Sequence, residues 1–270
     1  MESLLRIFLF ILAVKVSILF AYVTEKSKRA NYNKMFEGIE KSVDNANASN
    51  KEILEAYKHE SGNSLFIKNH RDGTDLEYYV FKCLYRIKGK TLTNLYLPKK
   101  KGLTQIDNLL IHPTGVYVIE CKDWKAREIR GNERLNNWKC IYRNNRVKES
   151  YNPLKQNLSH SIALQNSVGA KNIDGLVSSI VILGSNNFDI SYSPSKDGIN
   201  QYVFSRSEFA KKLKDLFKDK PIVFSDEDIL EIYKEIHYKY SNVKNTVKKK
   251  HLKYVQEIIA RRESIETKRA

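Results

Sequence analysis

The stretch TQIDNLLIHPTGVYVIECKDW, residues 104–124, reads as two β-strands folded over Pro113-Thr114-Gly115. Runs of Ile, Leu, Val and Tyr favour extended backbone, and Pro with Gly marks the reversal between them. Yet these strands carry Asp107, Glu120 and Lys122. Inward-facing charges in a small sheet are costly unless they are paired or bound to a metal. With the turn centred on Pro113-Thr114-Gly115, the numbers of antiparallel partners sum to about 227–229, which sets Asp107 opposite residues 120–122. Side chains alternate between faces, so Glu120 and Lys122 share one face while Cys121 points to the other. Directly opposed residues lie about 4.5–5.5 Å apart. Asp107, Glu120 and Lys122 are therefore expected to converge on one patch.

Two carboxylates that close repel, and they persist together only with a proton or a cation between them. Oxygen ligands of this kind suit Mg²⁺ or Mn²⁺. Such an ion binds a phosphate oxygen and lowers the pKa of a water, and a lysine alongside positions that water or stabilises charge on the phosphate. This is the chemistry of metal-assisted phosphodiester hydrolysis. The plainer alternative is a structural Asp–Lys pair across the strands, with Glu120 in solvent.

Outward from the hairpin, helix and strand patterns alternate. KEILEAYKHE (51–60) reads as a short helix, after an Asn-rich linker at 42–50. GTDLEYYVFKCLYRIKG (73–89) is a stronger helix, with Leu76, Val80, Phe81 and Leu84 at helical spacing and Gly89 ending it. Strand-like runs follow at 92–97, 103–112, 116–122 and 135–143. NPLKQNLSHSIALQNSVGA (152–170) reads as a helix with Pro153 in its first turn. LVSSIVILG (176–184) and QYVFS (201–205) read as strands, and SRSEFAKKLKDLF (205–217) as a helix with Ser205 and Glu208 at capping-box spacing. The order predicts an α/β domain at 65–225, a mixed sheet flanked by helices. Beyond it, Ile229, Ile232, Tyr233, Ile236, Tyr240, Val243 and Val247 form one helical stripe, ending in the basic run VKNTVKKKHLK (243–253). That run suits a solvated helix face, a nucleic-acid contact or a membrane surface.

The 270 residues carry a formal charge of +16 and a pI near 9.5, a balance that favours an anionic partner. Cys83, Cys121 and Cys140 show no CxxC spacing, which argues against a disulfide scaffold or a zinc site and for a reducing compartment. No GxxxxGK[ST] or GxSxG motif supports ATP binding or serine-esterase chemistry. LLRIFLFILAVKVSILFAYV (4–23) has only Arg6 and Lys15 charged and is long enough to span a bilayer. Its reading is a transmembrane anchor within 1–25, with a signal peptide or a peripheral amphipathic helix as the alternatives. Lys26, Lys28, Arg29 and Lys34 after it place the bulk of the chain in the cytoplasm by the positive-inside rule. Residues 26–64 then serve as linker and short helix, and 226–270 as a basic helical tail.

The residues themselves carry a more specific resemblance. Gly73 and Glu77, Thr104-Gln105-Ile106-Asp107, the Pro-Thr-Gly turn, Val118-Ile119-Glu120-Cys121-Lys122-Asp123-Trp124, Trp138, Asn152-Pro153-Leu154-Lys155-Gln156-Asn157 and His160 appear in an ordered set. The set resembles the nuclease-related domain (NERD) family of the PD-(D/E)xK, restriction-endonuclease-like superfamily, over roughly residues 70–185. The resemblance implies a restriction-endonuclease-like fold and Mg²⁺-dependent (or Mn²⁺-dependent) cleavage of DNA, with RNA left open. It makes Asp107 and Glu120 metal ligands and Lys122 the base that orients water or contacts phosphate. Glu77 becomes a further ligand, unless Thr74 and Glu77 are simply a capping box. Gln156 falls near the scissile strand, with His160 one turn further along the same face. Gln105 shares the Asp107 face, as a site residue or a surface amide. Trp124 and Trp138 are expected in the core, with base stacking as the alternative. The expected function is a membrane-anchored, metal-dependent nuclease facing the cytoplasm, in defence against foreign DNA or in DNA processing. The alternative is a non-catalytic nucleic-acid-binding module or a membrane-associated scaffold of the same fold.

Overall fold

Strands β1 (Lys90–Pro98), β2 (Leu103–His112) and β3 (Gly115–Lys122) form an antiparallel meander in the computed structural model. Only Pro113 and Thr114 separate β2 from β3, and His112 pairs with Gly115. Partner numbers sum to 227 along this ladder, at the lower edge of the expected register. Gly115 is required at the turn: its φ is +137°, and a Cβ there would lie 2.6 Å from the Leu176 carbonyl oxygen. The structure describes residues 13–24, 26–27, 43–61, 74–99, 102–169 and 171–241.

The chain divides into two units, Met1–Ser42 and Val43–Ala270. In the first, residues 13–24 are helical, with Val16, Ile18, Leu19, Phe20 and Tyr22 exposed. Among the described residues no helix is long and apolar enough to cross a membrane. Positions 4–12 of the expected span lie outside the described residues, as does the basic run 243–253.

The second unit holds a mixed α/β architecture. After β3 the chain makes β4 (Glu128–Asn132), β5 (Asn137–Ile141) and β6 (Val147–Tyr151), then helix α3 (Pro153–Gln165), which follows α1 (Asn50–Ser61) and α2 (Thr74–Tyr85) in the chain. Strand β7 (Val177–Leu183) returns beside β3 in parallel, and β10 (Ile199–Ser205) lies parallel to β7. The main sheet runs β1-β2-β3-β7-β10-β9, with β9 at Ser195–Lys196. A second sheet, β6-β5-β4-β8, includes β8 at Phe188–Ser191. Helices α4 (Phe209–Lys218) and α5 (Asp226–Ile236) follow.

The two faces of the main sheet bury different partners. Leu76, Val80 and Leu84 of α2, with Phe209 and Leu213 of α4, pack on Leu110, Ile119, Cys121, Ile180 and Ile182. Leu154 of α3 packs with Val181 and Leu183, the alternate residues of β7, and with Trp138. Helix α1 covers α2 through Ile53, Tyr57 and Phe81. Ile229, Ile232 and Ile236 of α5 are fully buried, so the start of the segment read as a tail is part of this packing. Strands β4, β6 and β8 escaped the periodicity reading because they are only four or five residues long and mostly charged, polar or half-exposed, too short for the alternation of Phe188 and Ile190 in β8 to stand out. The run read as one strand at 135–143 is a turn up to Asn136 and the five-residue β5 beyond it.

Candidate active site

Asp107 sits where pairing lapses on both sides of β2. The β1–β2 register passes from Thr93–Asn108 to Leu95–Ile106, skipping Asn94, which is in the left-handed region at φ +56°. The β2–β3 ladder stops at Asn108–Ile119. In place of the next ladder bond, Cys121 N–H donates to Asp107 Oδ2 at 2.8 Å. The Thr93 hydroxyl donates to the Asp107 carbonyl at 2.7 Å, holding β1 at this point. Side chains from β2, β3 and the flanking helices meet in the opening.

Glu120 is almost wholly buried, and its two oxygens face the Lys122 ammonium and the His160 imidazole. Lys122 Nζ donates to Oε1 at 2.5 Å. His160 Nε2, from α3, stands 3.2 Å from Oε2. That contact lacks hydrogen-bond alignment, so both atoms are buried without a hydrogen bond. His160 Nδ1 lies 2.5 Å from the Thr104 hydroxyl on β2. A tautomer protonated on Nε2 lets Nδ1 accept from Thr104 and turns the N–H toward Glu120. Burial pushes the Glu120 carboxyl up, but Lys122 and His160 outweigh it and hold the group down, at about 2. The Lys122 ammonium is raised: burial works against it, and the charges of Glu120 and Asp107 overcome burial.

Glu77 comes from α2, on the other face of the sheet, and its backbone carbonyl accepts from Asn108 Nδ2 at 3.2 Å. Burial, then the charge of Glu120, push its carboxyl up to about 7, while Lys122 works the other way. Burial, Glu120 and Glu77 likewise raise Asp107 well above the usual carboxylate range. Three carboxyls thus share one neighbourhood with a single lysine. Their mutual repulsion is of the kind that a bound cation would relieve.

The donor set fits a hard divalent ion. It is all oxygen, Asp107 Oδ1 makes no hydrogen bond among the described residues, and burial with the neighbouring carboxylates raises the Asp107 carboxyl. The three carboxylates are not drawn to within 4.8 Å of one another as a closed cage; among the described residues only His59, Glu60 and His237 are. Mg²⁺ needs no such cage, since it is held by about one or two carboxylates together with waters and substrate phosphate.

The NPLKQN motif on α3 is mostly accounted for by packing. Asn152 caps the helix by accepting from Leu154 and Lys155 N–H, and its amide donates to the Leu135 carbonyl at 2.8 Å. Lys155 Nζ donates to the Arg134 carbonyl at 2.8 Å. Asn157 Nδ2 straps the helix to the sheet, facing the carbonyls of Val118 and Ile180 and the Ser179 hydroxyl at 2.9–3.0 Å. Gln156 is the exception: partly buried, on the helix face of His160, its amide makes no hydrogen bond with any described residue. Gln105 is engaged elsewhere, donating to Asn94 Oδ1 at 3.1 Å. Trp124 and Trp138 pack edge to face with centroids 6.4 Å apart in the core, and the Trp138 indole donates to the Asn132 carbonyl. Thr104 and the depth of the His160–Glu120 contact were underweighted in the sequence. Their one signal was the TQID and NPLKQNxxH wording, not any periodicity.

Residues 72–184 match the family model of the nuclease-related domain, NERD. No curated protein and no solved structure matches the chain significantly.

Proposed function

We propose that this nuclease-related domain is a metal-dependent nuclease that hydrolyses phosphodiester bonds of DNA. The observation that carries the reading is the opening at Asp107, where Asp107, Glu120 and Lys122 meet with Glu77 and His160. Asp107, Glu120 and Glu77 would hold Mg²⁺ or Mn²⁺. When bound, that ion supplies charge neutralisation at a phosphate oxygen and an acidified water. Lys122, charged and a fifth exposed at its side chain, holds the attacking water or the phosphate oxygens in place. His160 fixes the Glu120 carboxylate from behind through the Thr104 contact. Gln156, on the same helix face and with no amide hydrogen bond among the described residues, would contact the substrate strand. The net charge of +16 supports an anionic substrate. Residues 4–23 tether the enzyme to a membrane with the domain in the cytoplasm; their apolar length and the Lys26–Lys34 cluster support this.

The test is incubation of the purified chain with supercoiled and linear DNA, and with RNA, in Mg²⁺, Mn²⁺ or EDTA. Cleavage that stops with chelator is expected. Absence of cleavage of any form, or cleavage indifferent to chelator, sinks the reading. A carbonate wash of membranes, mass spectrometry of the mature N-terminus and a C-terminal topology reporter test the tether. Recovery in the wash rules it out.

A non-catalytic nucleic-acid-binding module is the second reading. It is favoured by one observation, that Lys122 and His160 already face both Glu120 oxygens. Chelator-insensitive DNA binding without cleavage would select it.

A further inference from the structure

His59 and Glu60 lie at the end of α1, and His237 opens the π-helical turn His237–Ser241 that follows α5. Their ligand atoms all lie within 4.8 Å of one another. None of the three takes part in the hairpin site. His237 Nε2 stands 3.4 Å from Glu60 Oε1, and His59 Nδ1 stands 3.9 Å from the same oxygen. An N–H···O hydrogen bond draws its atoms to about 2.7–3.2 Å. Two ligands of one tetrahedral zinc, bonded at about 2.0–2.2 Å each, sit about 3.3–3.5 Å apart. The His237–Glu60 separation has the second value. The His59 side chain is half-exposed, so its approach to the same oxygen is not blocked by core packing.

Two further facts point to a ligand. Glu60 Oε2 is buried with no hydrogen-bond partner among the described residues, a condition that folded interiors seldom leave unanswered. The Tyr233 hydroxyl donates to Glu60 Oε1 at 3.1 Å and so orients the carboxylate, as supporting hydrogen bonds do around metal-bound carboxylates. The two imidazole rings lie nearly parallel, 10° apart.

We propose that His59, Glu60 and His237 bind a transition-metal ion, with Zn²⁺ as the fitting one, and that it clips the end of α1 to the end of α5. Two imidazoles and a carboxylate are a zinc donor set with a fourth position for water. Tyr233 and Glu60 are 173 residues apart in the chain, so the clip closes most of the folded unit into one loop. Because the ligands come together only in the folded chain, the metal stabilises that state and no other. The proposal stands apart from the nuclease reading, and its test reads metal content and heat stability instead of cleavage.

The full chain, untagged and carrying Asp107→Asn and Glu120→Gln to silence the hairpin site, is titrated with Zn²⁺ against a chromophoric chelator. One equivalent is expected, Co²⁺ in its place should show visible d–d absorption, and Tm should rise by roughly 5–10 °C at a hundredfold excess over Kd. Adding His59→Ala, which removes a half-exposed side chain, or Glu60→Gln should abolish all three effects with the near-UV circular dichroism unchanged. Failure of the chain to bind zinc, or retention of the equivalent by either variant, overturns the proposal.

Discussion

The Asp107 carboxylate takes the backbone N–H of Cys121 at 2.8 Å, where the β2–β3 ladder stops. One side chain thus both ends the ladder and lines the opening it leaves. Asn in its place retains an acceptor for that N–H but loses the charge. Asp107→Asn is therefore expected to fold normally and to cut DNA at background rate, with binding unchanged or tighter, because repulsion of phosphate falls. Glu120→Gln should behave alike. Plasmid nicking beside a gel-shift titration checks both, and near-wild-type rates in the two variants would falsify the site assignment.

Lys122→Ala should slow cleavage by about 10²–10⁴-fold, the range for loss of a positioned proton-handling group, with divalent-ion binding retained. The Lys122–Glu120 bond at 2.5 Å is lost in this variant, so single-turnover rates at saturating Mg²⁺ are the proper readout. An unchanged single-turnover rate makes Lys122 a structural partner of Glu120 only.

In the proposed site, His160 would act through Glu120 and not on the substrate. His160→Ala should raise the Mg²⁺ concentration for half-maximal cleavage by about 10–100-fold, as loss of supporting partners does, while substrate KM changes little. A drop in kcat with an unmoved metal titration would place the histidine at the reacting atoms instead.

Gln156 and Asn157 are neighbours with opposite expected effects. Asn157 is fully buried and its amide faces three acceptors of β3 and β7. Asn157→Ala should lower stability by about 2 kcal/mol, read as a shift in the urea midpoint. Gln156→Ala removes no such bond and should move stability by less than about 0.5 kcal/mol while cleavage slows. Loss of stability without loss of activity in the Gln156 variant would remove it from the site.

His112 gives an acid sensitivity that is separate from catalysis. Burial, then the nearby Lys88 charge, lower it to about 4, and its ring stacks on Phe217 at 3.9 Å. The unfolded chain takes the proton near pH 6.5 and the folded chain only near 4. The stability this group contributes is therefore complete above about pH 6.5 and is lost as pH falls toward 4. His112→Phe should flatten the urea-midpoint profile across that window. An equally steep profile in the variant assigns the acid sensitivity to other groups.

How much of this was legible depends on sequence distance. The hairpin was legible because its register is set locally. A two-residue turn between apolar runs leaves one pairing that keeps Val118 and Glu120 on one face and Ile119 and Cys121 on the other, and Cys121 is buried against α2 as alternation requires. The helix read at 73–89 was legible because its apolar spacing repeats within a few turns, and the one at 152–170 because Pro153 sits in its first turn. The second sheet was not. Its strands are only four or five residues long and gain their extended form from pairing with each other, so the brief alternation of Trp138 with Cys140 or of Phe188 with Ile190 is too short to announce a strand.

The sequence by itself determined the meeting of Asp107, Glu120 and Lys122, because a chain only 20 residues long and folded on a tight turn has almost no freedom to place them elsewhere. Only the tertiary structure decided that His160 reaches Glu120, that Glu77 arrives from the opposite face, and that His59 and Glu60 meet His237. A lone histidine on a helix has no periodic signal that names its partner. The partner is set by how α3 crosses β3 and β7, and by how α1 and α5 come together, and those placements follow from burial of apolar faces far apart in the chain.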